Sequence, residues 1–421
     1  MITFSIFLIV FLVTVFIREK QYLENHESEL EYLNEYEAQL GRARHTYYST
    51  GSVAEAAPEV LEEGMPSHRF ARLFKAVALP VYENGDAGEG TASLFLAAVL
   101  RIRQEIASER RFLKLMRHKY SGLAITAVWP LAAVPLIAYW ASSALETLLP
   151  FYVGRWGYLT LFILATVSAF CFEGIDRFRS PVYVASQTRI SKRVSGRWEY
   201  LIIGAIAFAF SVILTAERHI EACILQAEET GSVADFLIIP CCTVLAPALF
   251  KLLHKIDEYK DTVRRKDEQK RFRYVVEMLR AIPGVGPFDV LESMEIFSEK
   301  YRQQISKCLS DYATDSVQAV TELSKASGGE LEDLCEAFLA SEEVGVADAF
   351  DEITSQIEII REEEENSRRI ELDRNVLISE VLAGTPGVLI LFGYLIIPFM
   401  AKAIAMFNTY QETLQDFISI T

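Results

Sequence analysis

Six stretches of the chain carry almost no charged residues, and their apolar positions follow one another closely: 2–17, 121–141, 157–172, 199–215, 236–252 and 386–407. A helix needs about 20 apolar residues to cross a hydrocarbon core of about 30 Å. The second and sixth stretches have that length, whereas the other four are shorter and could each be a hydrophobic core helix. Four such stretches within 121–252 favour a membrane protein with about six transmembrane helices.

Two long polar segments, 18–120 and 253–385, separate these stretches. In the second segment the apolar positions of one predicted helix recur at three- and four-residue steps, at Phe350, Ile353, Ile357 and Ile360. This spacing gives a helix one buried face. The composition agrees with a helical membrane protein, since 51% of the residues are hydrophobic and the mean hydropathy is +0.20. We therefore expect an all-α, polytopic membrane protein.

Charge placement predicts the orientation of the spans, because Lys and Arg near span ends favour the cytoplasmic side. The flanks before the second span, after the third and after the fifth are strongly basic, whereas the alternate loops have one basic residue each, Arg155 and Arg218. Both termini are then outside the cytoplasmic (inner) membrane. The predicted divisions are an anchor, a first cytoplasmic segment, four spans, a second cytoplasmic segment, a last span and an external tail: 1–17, 18–120, 121–252, 253–385, 386–407 and 408–421.

The two polar segments contain similar sequences at a constant offset. The stretch "YYSTGSVAEA" at 47–56 aligns with "DYATDSVQAV" at 311–320, and the same offset pairs Glu31, Glu35 and Gln39 with Glu295, Glu299 and Gln303. A four-residue spacing predicts one polar stripe on a helix in each copy. Each segment then has a glycine turn, at Gly85 or Gly345, before a long charged helix. The pattern predicts two duplicated antiparallel helical bundles, although chance similarity in acidic helical sequence is an alternative.

The stretch "RAIPGVGPFDVLESM", residues 280–294, could be the hairpin of a DNA-binding element or the start of a helix. Asp289, Glu292 and Glu295 follow the hairpin and would repel a phosphate backbone. The net charge of −16 also argues against a polyanionic partner. We therefore expect a helix start and no nucleic-acid partner. The expected structural turns are Gly284, Gly286 and Gly345.

Three stretches together resemble the type II secretion F-domain family: "GPFDVLESM" (286–294), "SEEVGVADAFDEI" (341–353) and "REEEENSRRIELDRNVLISE" (361–380). They are similar to the family's leading turn, its acidic-then-glycine turn and its charged helix that runs into a span. The resemblance covers 273–407 well and 24–141 loosely. Two features depart from the family pattern: Asp315 and Ser316 replace an expected glycine, and the first copy lacks a clear leading turn.

The family comprises inner-membrane platform proteins of type II secretion systems, type IV pili, tight-adherence pili and archaeal surface filaments. The resemblance implies a scaffold that couples a cytoplasmic ATPase to the assembly of pilin-like subunits, in contact with membrane lipid and in a homo- or hetero-oligomer. The sequence itself has no GxxxxGK[ST], HExxH or GxSxG pattern. We therefore expect no enzymatic activity, cofactor or metal site. A solute transporter or channel, or a membrane-tethered signalling protein, is the alternative.

Acidic residues are concentrated in the second polar segment. Residues 322–373 include 17 acidic and 4 basic residues. A solvated surface is the simplest interpretation, and a docking face for a basic partner is the functional one. We identify Glu362, Glu363, Glu364 and Glu365 as candidate docking residues, because four consecutive carboxylates cannot all face a core.

Overall fold

The computed structural model of the protein describes residues 2–62, 64–86, 93–144, 148, 151–152, 155–179, 196–224, 233–282, 284–327, 330–351 and 357–420. The regular secondary structure of these residues is helical, and no β-strand occurs among them. The predicted all-α class is therefore confirmed for this part of the chain.

The helices follow one another along the described part of the chain. The first eight are α1 (Ile2–Thr50), α2 (Val53–Ala56), α3 (Arg69–Asn84), α4 (Leu94–Tyr120), α5 (Leu123–Val128), α6 (Ala133–Ala144), α7 (Arg155–Arg179) and α8 (Gly196–Ile224). The next eight are α9 (Val233–Leu279), α10 (Pro287–Phe297), α11 (Arg302–Tyr312), α12 (Ser316–Ser327), α13 (Glu330–Val344), α14 (Val346–Ala349), α15 (Ile357–Leu389) and α16 (Ile397–Ile420). Short 3₁₀ turns occupy Pro58–Val60 and Trp129–Ala132, and a π-helical turn, Ile390–Ile396, joins α15 to α16.

Three helices run without interruption between apolar and polar sequence. Helix α1 contains the predicted span 2–17 and continues to Thr50, and α9 contains the predicted span 236–252 and continues to Leu279. Helix α15 begins in polar sequence and enters the predicted span 386–407. In each of these helices, the predicted border between a membrane segment and a polar segment is a change of composition within one continuous helix.

A single core of buried apolar side chains, the joint core, includes residues of both polar segments. The contributing side chains include Leu33, Leu40, Phe70, Phe74 and Ile102 from the first segment and Phe272, Val276, Met294, Ile305 and Phe338 from the second. Helix α3 packs along α10 and also contacts α9. The apolar faces of both segments are buried against each other in this core, and the two duplicated bundles that we expected are not confirmed.

The predicted polar stripe is present only in the first copy. Its three residues lie on α1, but their counterparts are distributed over α10, the following connection and α11: Glu295, Glu299 and Gln303. Helix α10 ends because the backbone of Ser298 is extended (ψ 142°). The carboxylate of Glu268 in α9 then accepts hydrogen bonds from the backbone N–H groups of Glu299 (2.7 Å) and Lys300 (3.1 Å). The second stripe was therefore predicted wrongly.

A second group of buried side chains, the apolar cluster, connects α1, α5, α6 and α7 with the α15–α16 region. It includes Phe4, Leu8, Ala127, Leu131, Leu164 and Tyr394. Three described helical stretches are long and apolar enough to cross a membrane: Leu94–Ala141, Leu159–Arg179 and Glu365–Glu412. These stretches support the expectation of a membrane protein. The other three predicted spans lie within α1, α8 and α9.

Candidate docking site

The four candidate docking residues lie near the start of α15, and the helix gives them different surroundings. The side chains of Glu362 and Glu363 are exposed. The side chain of Glu364 lies outside the part that the structure describes. The carboxylate of Glu365 accepts a hydrogen bond from Ser108 Oγ of α4 at 2.6 Å. Two of the four residues are therefore available to a partner, and a third belongs to the contact between the two polar segments.

A buried carboxylate on α4, Glu109, lies one residue from that contact and is only 4% exposed. Its oxygens are 2.8 Å from Arg69 Nη2 of α3 and 3.3 Å from Arg368 Nη1 of α15, and Arg271 of α9 adds a third nearby positive charge. A carboxylate in the protein interior is tolerated when opposite charges and hydrogen bonds compensate its lost hydration. Glu109 therefore connects four helices, two from each polar segment.

The glycines selected from the sequence differ in backbone conformation. Gly284 (φ +82°) and Gly345 (φ +90°) have positive φ, whereas Gly286 (φ −95°) does not. Gly345 (φ +90°, ψ 157°) and Gly85 (φ +94°, ψ 154°) have almost the same conformation, and each follows a helix of the joint core. This region of φ/ψ space is essentially restricted to glycine. The similarity of these two turns agrees with the repeat in the sequence, although the helices before them are arranged differently.

The stretch that could have been a DNA-binding hairpin starts helix α10. Pro287 is the first residue of the helix, and the carboxylate of Asp289 accepts a hydrogen bond from the backbone N–H of Gly286 at 2.8 Å. An acidic residue in the first turn of a helix is favoured by the helix dipole. Burial and nearby carboxylates raise the pKa of Glu292 on the same helix. This acidic surrounding is unsuitable for a phosphate backbone.

Helix α13 carries another part of the acidic surface. Glu332, Glu336 and Glu343 are exposed along this helix, whereas its apolar residues enter the joint core. Glu342 accepts a hydrogen bond from the Tyr312 hydroxyl of α11 at 2.8 Å, and that contact fixes the end of α13 beside α11. The acidic surface that includes the candidate docking residues therefore extends over α13 and α15.

A network of charged side chains lies where the apolar parts of α1 and α7 end. Arg179 is fully buried at the end of α7, forms an ion pair with Glu19 of α1 and contacts Asp176 at 2.7 Å. The guanidinium of Arg179 also lies 4.5 Å from the ring centre of Tyr22. These contacts attach α1 to α7 just beyond the apolar cluster.

The same network extends to α9. Arg18 of α1 contacts Glu173 (2.7 Å) of α7, while Arg177 contacts both Glu173 (3.3 Å) and Asp257 of α9 (2.7 Å). Most of these groups are half-buried or buried, so that ion pairing compensates for lost hydration. The helices α1, α7 and α9, which all contain apolar stretches, are thus joined to one another by ion pairs at the ends of those stretches.

Chemical reactivity is low at the described cysteines. Burial raises the pKa of the Cys308 thiol to about 11 and that of the Cys335 thiol to about 12, so both are protonated at neutral pH. No group of three or more metal-ligating side chains occurs within the described part of the chain.

A cleft of about 620 Å³ lies between α1, α3 and the connection that follows α2, and Tyr36, Glu59 and Lys75 are among its lining residues. Lys75 Nζ there donates to the backbone oxygens of Glu62 and Gly64.

Sequence reasoning missed the buried charges. Glu109 and Arg179 each lie in strongly charged helical sequence, where the usual interpretation is exposure to solvent. For Glu109 the only signal was position, because it lies one turn from Ile106 and two turns from Ile102 on the buried face of α4. The partners of Glu109, and the Glu19 partner of Arg179, come from distant parts of the chain and could not be identified from local spacing.

No protein-family model, curated protein or solved structure matches this chain. The three stretches at 286–294, 341–353 and 361–380 remain the basis of the family resemblance. The geometry of the described helices supplies the rest of the functional interpretation.

Proposed function

We propose that this protein is a membrane assembly platform of the type II secretion and type IV filament kind. In this role a cytoplasmic ATPase acts on the polar segments, and pilin-like subunits are assembled beside the membrane helices. The observation that carries the proposal is the continuity of α1 and α9, which both contribute side chains to the joint core and run without a break into apolar stretches. A force applied to the joint core would reach the membrane through these helices without crossing a flexible connection.

Two groups of ion pairs support a mechanical role. In the first, which we call the Glu109 junction, Glu109 contacts Arg69 and Arg368 and links both polar segments. In the second, which we call the Arg179 network, Arg179 and Glu19 link α7 to α1 at the end of the apolar cluster. Buried ion pairs are directional contacts, and removing one partner is costly because the other charge stays buried. A scaffold that transmits force benefits from such contacts, since each fixes the relative position of the helices that it joins.

The proposed topology has six spans with both termini outside. Helix α1 shows the pattern expected of a helix at the edge of a membrane bundle: Phe4 and Leu8 are buried in the apolar cluster, whereas Ile6, Ile9 and Val13 are 58%, 62% and 53% exposed. An apolar stripe of this kind on a monomer needs a nonpolar surrounding. Lipid would provide that nonpolar surrounding along 2–17. It would do the same for α8, where Ile206, Phe208 and Ile213 are also exposed.

The proposed docking surface for the ATPase is the acidic surface of α13 and α15. Exposed ion pairs contribute only about 0.2–1 kcal/mol each, so a docking surface needs several of them. Glu362 and Glu363 are suitable for a test because their side chains are exposed. Glu365 is unsuitable because reversing its charge would also disturb its contact with Ser108.

The test is copurification from native membranes with the variant Glu362→Lys/Glu363→Lys. We expect a secretion-type ATPase and pilin-like proteins to copurify with the wild-type chain, and the double variant to retain several-fold less ATPase. The difference should decrease at about 1 M salt, where the Debye length falls to about 3 Å. The matched control is Glu31→Lys/Glu35→Lys, which reverses two exposed carboxylates on α1 of the first segment.

Two results would contradict the proposal. If the folded double variant and the control retain equal amounts of ATPase, the motor does not use this surface. If no ATPase copurifies at all and the reconstituted protein carries ions or solutes across liposome membranes, the transporter or channel interpretation replaces the platform.

A further inference from the structure

The outward face of α9 changes from apolar to basic over two helical turns. Val244 and Leu245 are 68% and 39% exposed, and Leu252 on the same side is 51% exposed. Lys251 and Lys255 are exposed beside Leu252. Residues three, four and seven apart share one side of a helix, so these side chains form one stripe. We call it the α9 stripe.

The two lysines of the α9 stripe differ from the other cations at this level of the molecule. Arg18, Arg177 and Arg179 contact carboxylates of the protein at 2.7–3.3 Å or closer. Lys251 and Lys255 make no ion pair or hydrogen bond with any residue that the structure describes. Their positive charges are therefore available to an anion from outside the described chain.

The neighbouring acidic residues of α9 are already engaged. His254 Nε2 lies 3.5 Å from Glu258, and Asp257 contacts Arg177 at 2.7 Å. One turn beyond Lys255, the hydroxyl of Tyr259 donates to Glu371 of α15 at 2.7 Å. The α9 stripe thus has an apolar end at Val244, a pair of free ammonium groups, and a polar end closed by α15.

We propose that the α9 stripe binds an anionic phospholipid. The phosphate of the headgroup would lie between the ammonium groups of Lys251 and Lys255, whose backbone positions are about 6 Å apart along the helix axis. The acyl chains would lie along Leu252, Leu245 and Val244. The inference rests on the proposed span of α9 and is independent of the platform role.

A lipid fits this stripe better than a soluble anion because exposed apolar side chains and lysine ammonium groups occur side by side on it. Free phosphate would neutralise the lysines but would leave the exposed apolar residues in contact with water. Lysines beside an anionic membrane surface gain attraction to it, and long lysine side chains extend their charge toward the headgroups from an apolar surrounding. Lipid therefore satisfies both ends of the stripe at once.

The experiment is native mass spectrometry of the full chain in detergent, titrated with phosphatidylglycerol and, separately, with phosphatidylcholine. We expect phosphatidylglycerol to bind more tightly. Each lysine beside an anionic headgroup is worth about a fivefold change in affinity, so Lys251→Gln/Lys255→Gln should weaken phosphatidylglycerol binding by about 25-fold. Phosphatidylcholine binding should change little.

Two control variants separate the charge effect from other causes. Lys251→Arg/Lys255→Arg keeps both charges and should retain the preference for phosphatidylglycerol. Lys307→Gln/Lys325→Gln removes two exposed charges from α11 and α12 and should also leave the preference unchanged. Equal affinity of wild type and the Lys251→Gln/Lys255→Gln variant would overturn the site. Displacement of bound lipid by millimolar glycerol 1-phosphate would show a soluble-anion site and overturn the lipid assignment.

Discussion

At the scale of single residues, Glu109 shows how much the position of a charge depends on distant partners. Its carboxylate is 4% exposed, and the groups that make this possible are Arg69 on α3 and Arg368 on α15. Arg69 precedes it by 40 positions and Arg368 follows it by 259. The local sequence around Glu109 resembles an exposed charged helix, so burial is decided by packing and not by composition.

The first prediction at this scale concerns the removal of that charge. Glu109→Gln keeps the shape of the side chain but leaves the partly buried guanidinium groups of Arg69 and Arg368 without this carboxylate. Breaking a buried ion pair costs about 3–5 kcal/mol, so we expect a clear loss of stability. Thermal unfolding of the purified protein in detergent, followed by circular dichroism, measures the effect.

Glu105 provides the control for this prediction. It lies one turn earlier on α4 and is only partly buried, so Glu105→Gln should change stability by about 0.5 kcal/mol or less, as for most surface substitutions. Equal unfolding temperatures for the Glu109 and Glu105 variants would mean that the Glu109 junction does not stabilise the joint core.

At the scale of helices, the sequence predicted those features that depend on neighbouring residues. The all-α class, the start of α10 at Pro287 and the glycine turn at Gly345 all depend on residues within a few positions of one another. The prediction of the second polar stripe was wrong because α10 ends before Ser298. The carboxylate of Glu268, which is distant in sequence, accepts a hydrogen bond from the backbone just after that residue. A repeat alignment compares residue types and contains no information about such a hydrogen bond. The joint core was missed for the same reason, since its contacts join the two polar segments.

The prediction at this scale compares two glycines in different backbone conformations. Gly345 has φ +90° and ψ 157°, whereas Gly41 lies within α1, and a Cβ atom would meet nothing within 4 Å at either position. Gly345→Ala should therefore destabilise through backbone strain alone, by about 1–3 kcal/mol. Gly41→Ala should stabilise by about 0.5–1 kcal/mol, because alanine is the better helix former.

Chemical denaturation of both variants in the same detergent measures these changes. The opposite signs are the informative feature, since neither substitution introduces a steric clash. If Gly345→Ala were as stable as the wild type, the turn before α14 would be relaxed enough to adopt another conformation, and its equivalence with the Gly85 turn would lose its physical basis.

At the scale of the whole molecule, the order of its layers accounts for the proposed function. The apolar cluster lies at one end, the Arg179 network follows, and the joint core with the Glu109 junction lies beyond it, while α1 runs through all three layers. If the polar layers are cytoplasmic, a motor can reach the joint core and the acidic surface, whereas the membrane helices remain available to subunits in the bilayer. The orientation of the layers is therefore the property that most needs a direct test.

The last prediction concerns this orientation. Ala347 and Asn408 are both exposed, the first beside the joint core and the second in α16 beyond the last predicted span. Cys223 follows the predicted span 199–215 on the side that we expect to be outside, so it is replaced by serine to remove its thiol. In this Cys223→Ser background, a membrane-impermeant maleimide should label Asn408→Cys in intact cells. Ala347→Cys should be labelled only after the membrane is permeabilised. The native thiols of Cys308 and Cys335 should remain unlabelled in both cases, because burial raises their pKa to about 11 and about 12 and keeps them protonated at the labelling pH.

The two introduced cysteines give opposite answers for the competing orientations. Labelling of Ala347→Cys in intact cells, with Asn408→Cys protected, would invert the molecule and would place the acidic surface where no cytoplasmic ATPase can reach it. Labelling of both in intact cells would mean that α16 and the joint core lie on the same outer side, so that 386–407 does not cross the bilayer. Protection of both would place both on the inner side and lead to the same conclusion about that span. Only the first pattern, with Asn408→Cys outside and Ala347→Cys inside, is compatible with a platform driven from the cytoplasm.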